Sequence, residues 1–230
     1  MMPQRKLSPR QQEKRQRILQ AALRVFSEQG YRAASMDAIA LEAAVSKPTL
    51  YMYFGSKEAL FETIMVDQRD FMLESFERMS GDMVNDLYEF AWHYADIVMK
   101  PEFLSLARLT IGEAQRFPEI GRAYQAAGPD KLLQGIMAYL SSRKRQGLLA
   151  FSDAELAAQD LWALILSAPR NKALHMPDEV PGRADVRRYL ENGLRTFFKA
   201  YSTSAEVDLK RLEEVISSTR QGRNNDRNTD

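Results

Sequence analysis

The sequence predicts an all-α fold, with a small three-helix unit at the N-terminus and a larger helical region after it. Three observations predict it. Apolar residues recur three and four positions apart in segment after segment, which is the period of a helix face. Capping residues and glycine or proline stops bracket those segments. No segment alternates polar and apolar residues for long enough to build a sheet. The composition fits a globular chain, since 45% of its 230 residues are hydrophobic and 27% charged. Cysteine is absent, which excludes disulfides and thiolate metal sites and fits a reducing compartment. The basic start leads into no apolar stretch of signal-peptide type. No run of roughly 18 apolar residues offers a membrane-spanning helix. A cytoplasmic location with no membrane partner is therefore expected.

The first helix is read in "SPRQQEKRQRILQAALRVFSEQG". Ser8 is its N-cap, Pro9 its first helical residue and Gln11 the closure of a capping box. Ile18, Ala22, Val25 and Phe26 form its apolar stripe, and Gly30 is its stop. A short helix, "SMDAIALEA", follows from about Ser35, with Ile39 and Ala43 on one face. A third begins at Ser46 and ends before Gly55, with Leu50 and Phe54 one turn apart on its buried side. Ser56 caps a longer helix, "SKEALFETIMVDQRDFMLESFERM", running to about Met79. Further helices are expected over residues 83–99, from Pro101, from Pro118, from Gly128-Pro129, over 153–169 from a Ser152–Glu155 capping box, and over 184–201. Residues 170–182, with Pro177, Pro181 and Gly182, read as a loop, with a frayed helix end as the alternative. "AEVDLKRLEEVISS" reads as a small extra helix with Val207, Leu209, Leu212 and Ile216 on one side. The polar end, "RQGRNNDRNTD", is expected to be disordered. The expected organisation is thus 1–55, 56–204 and 205–230.

Net charge is only +1, yet the first 17 residues carry Arg5, Lys6, Arg10, Lys14, Arg15 and Arg17 against Glu13 alone. A basic end on a slightly acidic body fits one face held near a polyanion. The short helix from Ser46, "SKPTLYMYF", follows a tight turn, which is the spacing of a helix-turn-helix. Val45, Leu50 and Phe54 point inward, leaving Lys47, Pro48, Thr49, Tyr51 and Tyr53 for the remaining surface. Lys47 can donate to guanine acceptors, and Thr49 offers a hydroxyl and a methyl. Tyr51 and Tyr53 can donate phenol hydroxyls to phosphate oxygens. Lys57, at the start of the next helix, can hold a phosphate together with free backbone N–H groups. By patterning alone, the tyrosines could equally pack on a neighbouring helix and Lys47 could be merely solvated.

A resemblance weighs on that choice. Residues 17–64 resemble the N-terminal domain of the TetR/AcrR family of transcriptional regulators. The matching features are Ile18-Leu19, Ala22, Phe26, Gly30-Tyr31, Ser35, Ile39-Ala40, Val45-Ser46, Thr49-Leu50-Tyr51, Tyr53-Phe54, Ser56-Lys57-Glu58 and Leu60. The resemblance implies an all-helical homodimer whose N-terminal helix-turn-helix domain binds double-stranded operator DNA. Its C-terminal domain would serve ligand binding and dimerisation, with a small-molecule effector that relieves repression. Ser35, Lys47, Pro48, Thr49, Tyr51, Tyr53 and Lys57 take the DNA-facing roles by that resemblance, with Ser46 a cap. The chain departs from the family in one place. Ala44 stands before Val45-Ser46 where the family usually has glycine, implying a different turn geometry or a cost of roughly 1 kcal/mol.

Farther on, "IGEAQRFPEIGRAYQAAGPDKL" and "IMAYLSSRKRQGLL" resemble one AcrR-type subgroup. The last two core helices should then form a four-helix dimer interface through Leu156, Leu161, Leu164, Ile165, Leu190, Leu194, Phe197 and Phe198. These stripes could also simply fill the monomer core. An effector pocket would draw on Tyr88, Trp92, Tyr94, Met99, Phe103, Met137 and Trp162, with His93 as a polar handle, though each also suits an ordinary core. The two histidines, His93 and His175, have no HExxH spacing. No GxSxG elbow appears, and Gly55-Ser56-Lys57 lacks the upstream glycine of a phosphate loop. The reading is therefore a ligand-responsive DNA-binding regulator with no cofactor. A helical scaffold without DNA binding, or an enzyme, are the alternatives.

Overall fold

The computed structural model describes residues 8–64, 66 and 80–226. In chain order the described helices are α1 (Pro9–Ala33), α2 (Met36–Glu42), α3 (Lys47–Phe54), α4 (57–64), α5 (Met83–Val98), α6 (Pro101–Glu113), α7 (Pro118–Ala127), α8 (Pro129–Arg145), α9 (Ala154–His175), α10 (Arg183–Tyr201) and α11 (Ala205–Asp226). A single 3-10 turn at Pro177–Glu179 stands between α9 and α10. The rest of the helix expected to reach Met79 lies outside the described residues. Among the described residues no helix is long and apolar enough to cross a membrane.

The chain forms two compact units, and their boundary differs from a cut at residue 55. One unit holds Met1–Arg69 together with Pro101–Pro129, and the other holds Asp70–Lys100 and Asp130–Asp230. The reason lies in the core of the first unit. Three short helices bury too little apolar surface to stand alone. Here Leu60, Phe61 and Ile64 of α4, Leu106 of α6, and Ile120 and Ala127 of α7 join Ile18, Phe26, Ile39, Leu50 and Phe54 in one cluster. Phe26, Tyr31 and Phe61 meet ring to ring at 5.5–5.7 Å between centroids.

Local signals set the ends of α1 as read from the sequence. The Ser8 hydroxyl accepts from the Gln11 N–H at 3.4 Å, while Gln11 Oε1 accepts from the Ser8 N–H at 2.9 Å. Gly30 breaks the helix with φ +76°, although a final turn continues to Ala33. Elsewhere the expected ends move. Asp153 rather than Ser152 caps α9, because its carboxylate reaches the N–H groups of both Glu155 and Leu156. Residues 170–175, expected in a loop, extend α9 past Pro169. The proline lacks a backbone donor and crowds the carbonyl one turn back, yet the buried Ala173 and Leu174 continue the apolar stripe beyond it. The segment 220–226, expected to be disordered, is helical as the end of α11. Leu212, Val215 and Ile216 bury α11 in its own unit, whereas Val207, expected on that side, is 68% exposed.

The second unit is built on α9 against α10, with α5, α8 and α11 completing it. Leu161, Ile165, Leu190, Leu194, Phe197 and Phe198 are all fully buried inside the single chain. They build the subunit's own core, so they are not available to a partner, contrary to the expectation of a dimer interface. Of the residues named for that role, Leu156 is 61% exposed and Leu164 is half-buried. The two helices approach closely at Gly193, where an added Cβ would lie 2.3 Å from the Leu164 carbonyl oxygen. Gly193→Ala should therefore lower stability by about 1–3 kcal/mol. Gly112→Ala, on α6 with open space around it, should raise stability by about 0.5–1 kcal/mol by removing a helical glycine. Thermal denaturation followed by circular dichroism reads both. A Gly193→Ala protein as stable as wild type would refute the close approach.

Candidate nucleic-acid interface

The turn between α2 and α3 fixes everything the interface presents. The Val45 N–H donates to the Ala40 carbonyl and the Ala44 N–H to the Leu41 carbonyl, both at 3.0 Å. This pair of bonds closes a helix end only when the residue between them is left-handed. Ala44 occupies that position at φ +50°, and it is the only non-glycine residue with positive φ among the described residues. The departure noted in the sequence thus falls on the one place where glycine would relieve strain. From α1, Arg17 donates its Nε–H to the Ala43 carbonyl at 3.1 Å and covers another carbonyl at the same end of α2.

After the turn, Ser46 caps α3. Its hydroxyl accepts from the Thr49 N–H at 3.3 Å and shares a 2.8 Å hydrogen bond with the Thr49 hydroxyl. Pro48 lies in the first turn, where a missing N–H costs nothing. Leu50 and Phe54 are buried and anchor the helix, while Val45 packs partly against the same core. The opposite edge is open. Lys47 and Pro48 are exposed, Thr49 is half-buried, and Tyr51 is exposed. Tyr53 is half-buried against the core and Phe54. Ser35 is exposed and caps α2, its hydroxyl accepting from the Ala38 N–H at 3.1 Å.

Two of the expected cations have internal partners. Lys47 Nζ lies 2.8 Å and 3.0 Å from the two carboxylate oxygens of Asp37 on α2. That hydrogen bond and the carboxylate charge hold the ammonium above its usual range. Lys57 turns toward the end of α1, donating to the carbonyls of Tyr31 at 2.9 Å and Ala34 at 3.2 Å. Its ammonium also lies 4.4 Å from the Tyr31 ring centroid. A phosphate at Lys57 would compete with these three contacts, which places Lys57 first as a clamp between α1 and α4. Tyr31 donates to Glu58 at 3.2 Å. Burial, then the neighbouring Glu58 charge, pushes the phenol far above its usual range. Glu58 is held below the usual carboxylate range by its own backbone N–H, with Ser56, Tyr31 and Lys57 adding to the effect against burial.

Sequence reading missed Asp37, and also Met52 on α3 and Leu41 near the end of α2, which are 74% and 84% exposed. Met52 could have been found, since it faces away from Leu50 and Phe54 on a helical wheel. Asp37 could not, because its partner lies ten residues on in another helix and no local spacing rule joins them.

The residues expected around an effector separate. Phe103 belongs to the first unit, the others to the second. Tyr88 and Trp92 are buried, and His93, Met99 and Met137 are half-buried. Trp92 lies under the Arg183 guanidinium, 4.3 Å from its ring centroid, which fits a packing role. Tyr94 and Trp162 do come together. The indole N–H donates to the Tyr94 hydroxyl at 2.6 Å, and both line an open cleft of about 220 Å³ with Gln159, Leu166, Ser167 and Arg170.

A short helix with a buried anchor and an open, basic and aromatic edge, presented across a tight turn, defines the class of helix-turn-helix proteins that bind DNA. The comparisons with known proteins agree. Residues 18–64 match the bacterial regulatory proteins of the tetR family. Residues 85–203, over half of the chain, match the AefR-like transcriptional repressor C-terminal domain. The chain belongs to the TetR family of transcriptional regulators.

Among its relatives, the HTH-type transcriptional regulator UidR of Escherichia coli is 47% identical over 62 residues. That match covers 27% of this chain and 32% of UidR. A TetR-family transcriptional regulator from Mesorhizobium loti superposes with a TM-score of 0.73 at 28% identity, covering 85% of this chain and all of that one. The flavonoid-responsive regulator FrrA gives a TM-score of 0.63 at 30% identity, over 84% of this chain and 98% of its own. α11 lies beyond both matched ranges.

Because Ala44 is held left-handed, Ala44→Gly should stabilise the protein by about 1 kcal/mol, raising its melting temperature by about 2–4 °C. A melting temperature that stays the same or falls would show that the turn carries no strain at this residue.

Proposed function

We propose that the chain represses transcription as a homodimer, placing α3 of each subunit in the major groove of one operator half-site. The observation that carries this reading is the open edge of α3 on its buried anchor. Lys47 reads a guanine or a neighbouring phosphate, and Thr49 contacts a base edge. Tyr51 donates to a phosphate oxygen, Ser35 approaches the backbone at the start of α2, and Pro48 shapes the fit. Tyr53 supports the edge more than it reaches out, since half of it is spent on the core. Functionally, residues 1–55 read DNA and 56–204 carry regulation and dimerisation. The compact first unit nevertheless recruits residues 101–129 to hold the reading helices in place. With the six central apolar residues of α9 and α10 buried in the subunit, pairing uses the outer faces of these helices, where Leu156 and Tyr189 are exposed.

The effector is a small molecule bound in the second unit. The cleft at Tyr94 and Trp162 offers two aromatic faces and the Arg170 guanidinium. A planar aromatic compound suits it, a reading supported by the flavonoid-responsive relative. Its effect on DNA equals the difference in its affinity for the DNA-bound and free conformations.

Selection of bound duplexes from a random pool tests the reading. Tyr51→Phe should weaken binding to the selected operator about tenfold by removing a charge-assisted hydrogen bond. Lys47→Ala should lower discrimination between operator and random duplex. A protein that enriches no sequence and shifts no duplex at low salt is the outcome that ends this reading.

A further inference from the structure

Asp37 has no part in the interface as described, yet it touches the cation at its centre. α2 places Asp37 in its first turn, and α3 places Lys47 at its first helical residue. The turn at Ala44 brings the two side chains together, so that one ammonium lies within 3.0 Å of both carboxylate oxygens. Both residues are more than half exposed, at 66% for Asp37 and 53% for Lys47. The pair is therefore not a structural core contact. An exposed ion pair of this kind adds little to stability, but it lies where an incoming acceptor must approach.

From this geometry we infer that Asp37 is a specificity-determining residue, a competing internal acceptor that releases Lys47 only to DNA offering a better set of contacts. The inference rests on the proposed use of α3 as the reading helix. Any phosphate that approaches the Lys47 ammonium from solvent also approaches the Asp37 carboxylate, and like charges repel. A random duplex offers Lys47 mostly that phosphate charge. A matched site offers Lys47 the guanine O6 and N7 acceptors, and it can offer the freed carboxylate a cytosine or adenine amino group. The carboxylate thus penalises random sequence more than matched sequence, which is discrimination through an unfavourable term. A second carboxylate on α2 provides an internal comparison. Glu42 pairs with Arg24 at 2.9 Å, is 44% exposed, and leaves Lys47 untouched.

The test measures binding of the full chain to its selected operator and to a random duplex over a salt series. Asp37→Asn should raise affinity for random duplex about fivefold, steepen its salt dependence by about one phosphate equivalent, and change operator affinity by less than about twofold. The ratio between the two duplexes should fall accordingly. Glu42→Gln should leave that ratio unchanged. In a Lys47→Ala background, Asp37→Asn should lose most of its effect. Asp37→Glu, which keeps the charge, should stay near wild type. Equal gains on both duplexes, or a gain that survives in the Lys47→Ala background, would reduce Asp37 to general charge repulsion and overturn the inference. So would an Asp37→Asn protein that binds both duplexes as wild type does. A wild-type protein that shifts no duplex overturns this inference together with the regulatory reading, whereas operator binding without an Asp37 effect overturns this inference alone.

Discussion

The left-handed residue between α2 and α3 is the constraint on which the reading surface depends. Two hydrogen bonds close α2 only if Ala44 adopts that conformation, and α3 then leaves at the angle that buries Leu50 and Phe54. An eight-residue helix cannot hold itself together in water. It exists because its cap, its turn and its two buried side chains agree. The strain at Ala44 is small against the burial of a leucine and a phenylalanine, each contributing about 1.5–3 kcal/mol. The turn therefore keeps its geometry without glycine.

A second constraint ties this surface to the rest of its unit. The end of α1 is held by the Lys57 ammonium, which meets two carbonyls that the helix leaves without an internal donor. Tyr31 below it donates to Glu58 and packs on Phe26, Phe61 and Phe117. Phe117 comes from the stretch 101–129, which returns to this unit after the chain has entered the other. The reading helices are thus attached to the rest of the chain at both ends of that excursion as well as through the chain following α4. A displacement of residues 101–129 would reach Phe26 and Tyr31 by direct packing.

Most of the elements were legible in the sequence because their signals are local. Ser8, Ser35, Ser46 and Ser56 each cap a helix within three residues, and the stripe at Ile18, Ala22, Val25 and Phe26 is fully helical in spacing. The misreadings share a physical cause. The helix over 153–169 was expected to give way to a loop, but burial of Ala173 and Leu174 carries α9 on past Pro169. The polar composition after Arg220 hides a helix that α11 propagates from its buried Leu212 and Ile216. The apolar stripes of α9 and α10 have the same pattern whether they meet a partner or their own subunit, so the sequence left both open, and it is the burial of six of these residues within the chain that separates them. Within the interface, Met52 was passed over and Tyr53 lies half-buried, whereas the exposure of Lys47, Pro48 and Tyr51 followed from the period of α3. The partners of Lys47 and Lys57 did not, because both lie on other helices.

That difference bears on how such a surface can be selective. Exposed lysines on a reading helix attract any phosphate, so affinity alone favours random DNA as much as a matched site. Discrimination needs something that costs more on the wrong sequence, and on the proposed reading the fold can supply it at two levels. Packing on Leu50 and Phe54 sets the direction of the edge, so moving the helix to suit another groove would disturb this burial. On the proposed reading, the contact of Lys47 with Asp37 keeps that cation occupied before DNA arrives. An occupied cation loses a partner when it binds, and only a site that replaces this partner in full retains the affinity. On the proposed reading, the exposed pair of Lys47 with Asp37 bears on the choice of sequence, while the clamp at Lys57 bears on the fold of the small unit.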